Sequence, residues 1–195
     1  MNKTRRAALV LLSSVVALAT TASVARADDT NVTVTGGDLT LGSITTGDFG
    51  GITLNGAAQS TTATMNAFSV TDARGTGLGW NVTISASPFN EYASGEYVAS
   101  GKTLGTSRFT MAQASAAKVD ASSSGVPTVT NGTYTLDADG NSDGTSDAVK
   151  IASAATGDGM GSYTVTPGQL SLSVPANVYA KTYRSDVTVT LSTGP

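Results

Sequence analysis

The densest cluster of residues able to do chemistry is Asp137-Ala138-Asp139-Gly140-Asn141-Ser142-Asp143-Gly144-Thr145-Ser146-Asp147. With Asp139 as position one of a calcium loop, Asn141, Asp143, the Thr145 carbonyl and Asp147 fall at positions three, five, seven and nine. Gly144 falls at six, where such a loop turns sharply. A hard cation needs several oxygens converging on it, and alternate side chains of a tight loop supply them. Position twelve is Lys150 instead of a bidentate acid, so Asp137 or Asp158 would have to complete the shell. Asp, Asn and Gly in this density also suit a solvated turn. A calcium ion held here would be structural, and the sequence requires no other cofactor.

Catalytic groups are scarce elsewhere. The 195-residue chain has no His and no Cys. That removes the commonest general base, the commonest transition-metal ligand and every thiolate or disulfide. Ser–His–Asp hydrolases, zinc hydrolases and cysteine proteases are excluded. A glycan-active enzyme needs only two carboxylates, but Glu91 and Glu96 are the sole glutamates and the densest group of aspartates sits in one loop. The formal charge of −3 leaves no basic excess to neutralise phosphates, so nucleic acid is a poor partner.

Export comes first in the chain order. Lys3, Arg5 and Arg6 precede an apolar run, Ala7 to Ala19, followed by the small-x-small step Ala25-Arg26-Ala27. This is the order of a secretory signal peptide. A thirteen-residue helix rises about 20 Å, short of the ~30 Å hydrocarbon core, so no membrane span is expected in the mature form. Cleavage after Ala27 leaves residues 28–195 as one domain. It removes four cations (Lys3, Arg5, Arg6 and Arg26) and no acid, which takes the formal charge from −3 to −7.

The mature chain alternates apolar residues with Thr, Ser or small ones, the period of a half-buried strand. Examples are Val32/Val34, Leu39/Leu41, Ile52/Leu54, Val82/Ile84 after Trp80, Tyr163/Val165, Leu170/Leu172/Val174 and Val187/Val189/Leu191. The chain holds 54 Ser and Thr; a Thr side chain suits an extended backbone while its hydroxyl meets water. Gly36-Gly37, Gly50-Gly51, Asn55-Gly56, Asn131-Gly132 and Pro167-Gly168 mark turns. Met111 to Val119 is Ala-rich enough to suggest a helix, and residues 86 to 160 read as long loops with an inserted hairpin. The expected fold is all-β: a single-domain, Ig-like β-sandwich behind a cleavable signal peptide.

Three segments then carry a resemblance. Val70-Thr71-Asp72-Ala73-Arg74-Gly75 leads to Leu78-Gly79-Trp80-Asn81-Val82, Gly159-Met160-Gly161-Ser162-Tyr163 follows, and Tyr183-Arg184-Ser185-Asp186-Val187-Thr188-Val189-Thr190-Leu191 lies near the closing Gly194-Pro195. Together they resemble the WxL domain of Gram-positive surface proteins, with Asp72, Arg74, Gly79, Trp80, Tyr183, Val189 and Leu191 on motif positions. Val82 stands where that family has Leu, and Val189 where it has its distal Trp. The resemblance implies a secreted, non-catalytic protein held non-covalently on the cell wall. It also implies peptidoglycan or another wall polymer as ligand and a WxL-interacting surface protein as a partner.

Retention by binding also suits the residues themselves, because no sortase-type motif, apolar tail or basic anchor precedes Pro195. A glycan site would gather exposed aromatic rings. Candidates are Trp80, Phe89, Tyr92, Tyr97, Tyr179 and Tyr183. Each also has a packing role open to it: Trp80 in a sandwich core, Tyr183 at a sheet end, Phe89, Tyr92 and Tyr97 within a loop. Asp72 and Arg74 could likewise pin the glycine-rich turn instead of shaping a ligand site, and Lys102, Lys118 and Lys181 read as solvated. The alternative to wall binding is a self-assembling fibre or coat subunit, in which a strand such as Asn31–Thr35 completes a neighbour's sheet.

Overall fold

A period-two pattern becomes a strand where its apolar file has a second layer to face, and most of the expected runs find one. The computed structural model describes residues 29–139 and 147–195; the signal segment, with its Ala25-Arg26-Ala27 step, lies outside the described residues. Residues up to Val34 form one unit and Thr35–Pro195 a second. Among the described residues there is no helix, and every ladder is antiparallel.

Within Thr35–Pro195, one sheet takes the order β1 (Leu39–Leu41), β3 (Phe68–Asp72), β12 (Gly161–Thr166) and β8 (Ser115–Lys118). A second runs β10 (Tyr134–Thr135), β7 (Phe109–Met111), β13 (Leu170–Val174) and β2 (Gln59–Ala63). The third runs β15 (Val187–Thr193), β4 (Trp80–Ala86), β11 (Val149–Ala154) and β9 (Thr128–Val129). A small fourth joins β14 (Tyr183–Arg184), β5 (Asn90–Ala93) and β6 (Glu96–Tyr97).

β4 shows how the sequence produces this. Its even positions Trp80, Val82, Ile84 and Ala86 are buried, while Asn81, Thr83 and Ser85 are half-buried. Strands on both sides satisfy its backbone, β15 from Val187↔Ala86 to Thr193↔Trp80 and β11 from Val149↔Ile84 to Ala154↔Trp80. Trp80 meets the Tyr163 ring of β12 with centroids 5.8 Å apart, so this sheet faces the first across a dry core. Each fully buried large side chain there contributes about 1.5–3 kcal/mol of hydrophobic stabilisation.

Several expectations need correction. The proposed helix over Met111–Val119 is instead the end of β7, a three-residue connection and β8; Phe109 and Met111 are buried on one face of β7, and tertiary pairing overrides the helix preference of alanine. Val32/Val34 and Ile52/Leu54 alternate without forming strands. Residues 86–160 are no insertion: they supply β7, β8, β9, β10 and β11 to three sheets. A hairpin does occur among them. β5 and β6 are joined at Ser94 (φ 55°) and Gly95 (φ 89°), both left-handed as a two-residue I′ turn requires.

Candidate functional site

Of the motif residues, Asp72, Arg74, Gly79 and Trp80 meet at one end of β4, where they do structural work, while Val189 pairs with Ile84 in mid-strand and Tyr183 lies at the other end. Asp72 is buried at the end of β3. Arg74 grips it with two parallel bonds, Nε–H to Oδ1 (2.9 Å) and Nη2–H to Oδ2 (2.8 Å). The same guanidinium donates to the Gly79 carbonyl and, through Nη1, to Thr193 Oγ1 (2.9 Å). Arg74 holds the Asp72 carboxyl below the usual carboxylate range, hydrogen bonding outweighing the cost of burial. The upstream motif is thereby latched to the last strand, a link strengthened by Asn81 Nδ2–H donating to the Gly194 carbonyl (2.7 Å).

The third segment closes this corner. Trp80 Nε1–H donates to the Gly159 carbonyl (2.9 Å). Gly159 has φ +78°, and a Cβ there would stand 2.4 Å from Ala154 Cβ and 2.6 Å from Trp80 Nε1. Only glycine fits. The Tyr163 hydroxyl donates to the Met160 carbonyl (2.9 Å), completing the Gly-Met-Gly-Ser-Tyr step. Trp80 is 0% exposed, so it is a core residue and not a surface ring for a polymer.

Phe89, Tyr92, Tyr179 and Tyr183 gather beyond the opposite end of β4, lining a cleft of about 1160 Å³ that Tyr97 does not line. Its floor is a cluster of three edge-to-face rings. Phe49, Phe89 and Phe109 have centroids 5.4–5.7 Å apart, and Phe89, open between a surface ring and a packing role, is buried among them. One wall is the segment Ile44–Leu54, tied down by Gly47 N–H to the Thr64 carbonyl (2.8 Å). The other wall is Val178–Val187, with Tyr179 and Tyr183, joined by Tyr92 of β5.

β5 carries alternating anchors for that second wall. Tyr183 pairs with Glu91 and Arg184 with Asn90 in the β14–β5 ladder. Arg184 lies over the Tyr92 ring at 4.9 Å and donates through Nη1 to its hydroxyl oxygen (2.9 Å). Tyr92 stands opposite Tyr97 on β6, centroids 5.4 Å apart, and Tyr97 donates to Asp186 Oδ2 (2.7 Å). Burial, then that hydrogen bond, raises the Tyr97 phenol. The Tyr183 hydroxyl donates to the Tyr179 carbonyl (3.0 Å), and Lys102 Nζ sits 4.5 Å over the Tyr179 ring.

Two ion pairs, Glu91–Lys181 and Arg184–Asp186, brace this wall. Glu91 accepts Lys102 N–H at Oε2 (3.0 Å) and faces Lys181 Nζ at Oε1 (2.9 Å); the first contact, then the second, lowers its carboxyl. Arg184 Nε is 3.5 Å from Asp186 Oδ1. Lys102, Lys118 and Lys181 are exposed, as expected; Lys118 also donates to the Ser123 carbonyl (2.9 Å). A groove of tyrosine rings, hydroxyls and ion-paired side chains, with Asp48 on the opposite wall, can hold a polar polymer, stacking on sugar faces and bonding their edges. Phe49, Arg184 and Asp186 escaped sequence reading. Phe49 stands alone between glycine-flanked residues, and the other two lie inside a motif already given another meaning.

Of the calcium candidates, Asp137 is fully buried and accepts Arg108 N–H and Phe109 N–H, one at each carboxylate oxygen (both 3.0 Å). Those bonds commit it to the start of β7. Asp147 N–H donates to the Ala138 carbonyl (2.7 Å), bringing the loop ends together. Asn141, Asp143 and Thr145 lie outside the described residues, and among the described residues no group of three acidic side chains could hold a metal ion.

An all-β protein with a latched motif corner and an open aromatic cleft is the class that fold and site define. The chain belongs to the WxL domain surface cell wall-binding family, whose model matches residues 22–195, nearly its whole length. No curated protein and no solved structure matches it. It is accordingly a surface protein of a cell wall-binding kind. No helix among the described residues is long and apolar enough to cross a membrane.

Proposed function

We propose that this is a secreted, non-catalytic protein of the Gram-positive surface, an Ig-like sandwich over residues 28–195 released by cleavage after Ala27. It is held non-covalently on peptidoglycan through the cleft between Ile44–Leu54 and Val178–Val187. The observation that carries this reading is the convergence of Tyr92, Tyr179 and Tyr183 on one open groove over a phenylalanine floor. Wall glycan presents apolar ring faces and polar edges together, the combination this groove offers. Glu91, on β5 beside the groove, is engaged by the Lys102 backbone N–H and the Lys181 ammonium, which suits holding a wall of the groove together more than transferring protons. A WxL-interacting surface protein would share the wall with it, and a calcium ion, if bound at Asp139–Asp147, would stiffen that loop.

The test is sedimentation with purified peptidoglycan. The wild type is expected in the pellet and to be released by denaturant. Tyr179→Ala with Tyr92→Ala should weaken retention at least tenfold, read at a temperature where the variant is folded, because half-buried Tyr92 also packs on Tyr97 and Arg184. Equal retention of the double variant would remove the cleft from the reading, and sugar release from the wall would replace it with catalysis.

A further inference from the structure

We propose that residues Asn31–Thr35 of one copy of this chain add as a strand to β15 of a second copy, filling the seam between β1 and β15. This goes beyond wall binding and does not depend on the cleft.

The acceptor is incomplete by construction. β15 and β1 are the outermost strands of their sheets and share no ladder. In β4 the inward file is fully buried, but in the adjacent β15 Val187, Val189 and Leu191 are only half-buried, as are Leu39 and Leu41 of β1. Between them runs a groove of about 490 Å³ lined by Leu39, Leu41, Val189, Thr190, Leu191 and Thr193. Two open edges over a groove of leucine, valine and threonine side chains are a template for one more strand.

The occupant is supplied by the same chain. Asn31-Val32-Thr33-Val34-Thr35 repeats the composition of Val187-Thr188-Val189-Thr190, yet it forms no strand. Val32 and Val34 are 86% and 87% exposed, the largest exposures among the big apolar side chains described. Alternating valines left in water gain hydrophobic stabilisation only against another surface. Five residues span about 17 Å and the seven of β15 about 23 Å, so the donor fits within the acceptor. In an antiparallel register Val34 lies opposite Val189 and Val32 opposite Leu191, with Thr33 opposite Thr190. The same register carries Asp29 to the end of β15, where Arg74 reaches Thr193. Donor and acceptor are different surfaces, so the contact is head-to-tail and propagates into chains.

The chain has no cysteine, so Thr33→Cys with Thr190→Cys introduces its only thiols. Exported protein carrying both, oxidised and run without reductant, should form a ladder of dimers and higher species. Neither single variant should pass the dimer. A monomer closed on itself would mean that the segment completes its own chain, and a product no longer than those of the single variants would mean no strand addition; either overturns the proposal. Light scattering gives an independent reading. The wild type should exceed monomer mass, and Val32→Asp with Val34→Asp should lose every species above monomer with an unchanged melting curve, while a monomeric wild type refutes the idea. Peptidoglycan sedimentation is scored separately, so a ladder without wall binding would reject only the cleft.

Discussion

Replacing Asp72 by Asn leaves the shape of the latch but removes the charge that Arg74 was placed to meet. The Asp72 side chain is 0% exposed and that of Arg74 15%. Removing one partner of a buried pair costs roughly 3–5 kcal/mol. Arg74 keeps some water and its bonds to Gly79 and Thr193, so the lower end, about 3 kcal/mol, is expected. Trp80 is the single tryptophan, buried in the same corner, and its emission reports the loss directly. With a urea m-value of about 2 kcal/mol/M, the midpoint should fall by about 1.5 M at unchanged slope. Arg74→Lys keeps the charge but not the two-pronged grip, and should fall between wild type and Asp72→Asn. Acid gives a second readout. Because the folded carboxyl titrates below its ordinary value, its stabilisation is complete above the usual carboxylate range and disappears as pH drops through the lowered folded value. Wild type and Asp72→Asn should therefore differ at neutral pH and converge in strong acid. Midpoints within about 0.3 M of each other at pH 7 would refute the latch, since that shift is below about 1 kcal/mol.

Gly159→Ala should cost about 3 kcal/mol in the same urea assay, combining left-handed backbone strain with a Cβ pressed on Ala154 and Trp80; an unchanged midpoint would mean the corner is looser than its distances. Asp137→Ala should cost at least about 2 kcal/mol, because Arg108 and Phe109 lose the acceptors of buried N–H groups, and calorimetry would show it as a lowered melting temperature. Millimolar calcium should raise the wild-type melting temperature if Asp139–Asp147 holds the ion; no shift would sink that site.

The all-β class was legible because alternation in β4, β12, β13 and β15 coincides with burial. Leu170, Leu172 and Val174 show it most simply, each facing the core from β13. Strands made almost wholly of small polar residues escaped. Gln59-Ser-Thr-Thr-Ala63 has no apolar file, and it is a strand because β13 lies beside it from Leu170↔Ala63 to Val174↔Gln59. Ile52 and Leu54 failed the opposite way, alternating in a segment whose apolar side chains line the cleft. Tyr92, Tyr179 and Tyr183 were identifiable by type, but residues 87 positions apart become neighbours only through the β14–β5 ladder. Trp80 and Phe89 show the limit of residue type alone, since a ring suited to sugar is equally suited to a core.

The two ends of β4 divide the labour. At the Trp80 end every motif group is spent on another part of the chain: Asp72 on Arg74, Arg74 on Gly79 and Thr193, Trp80 on Gly159. Those bonds make the motif a signature of the fold, and none of them involves position 189. Replacing a large ring by Val189 leaves the latch whole and acts elsewhere, by lowering the wall of the seam beside β1. The same substitution that would weaken a surface aromatic site therefore widens the space into which a strand can enter. Val189→Trp separates these effects: the latch and cleft should keep their behaviour, while a filled seam excludes the valines of an incoming copy.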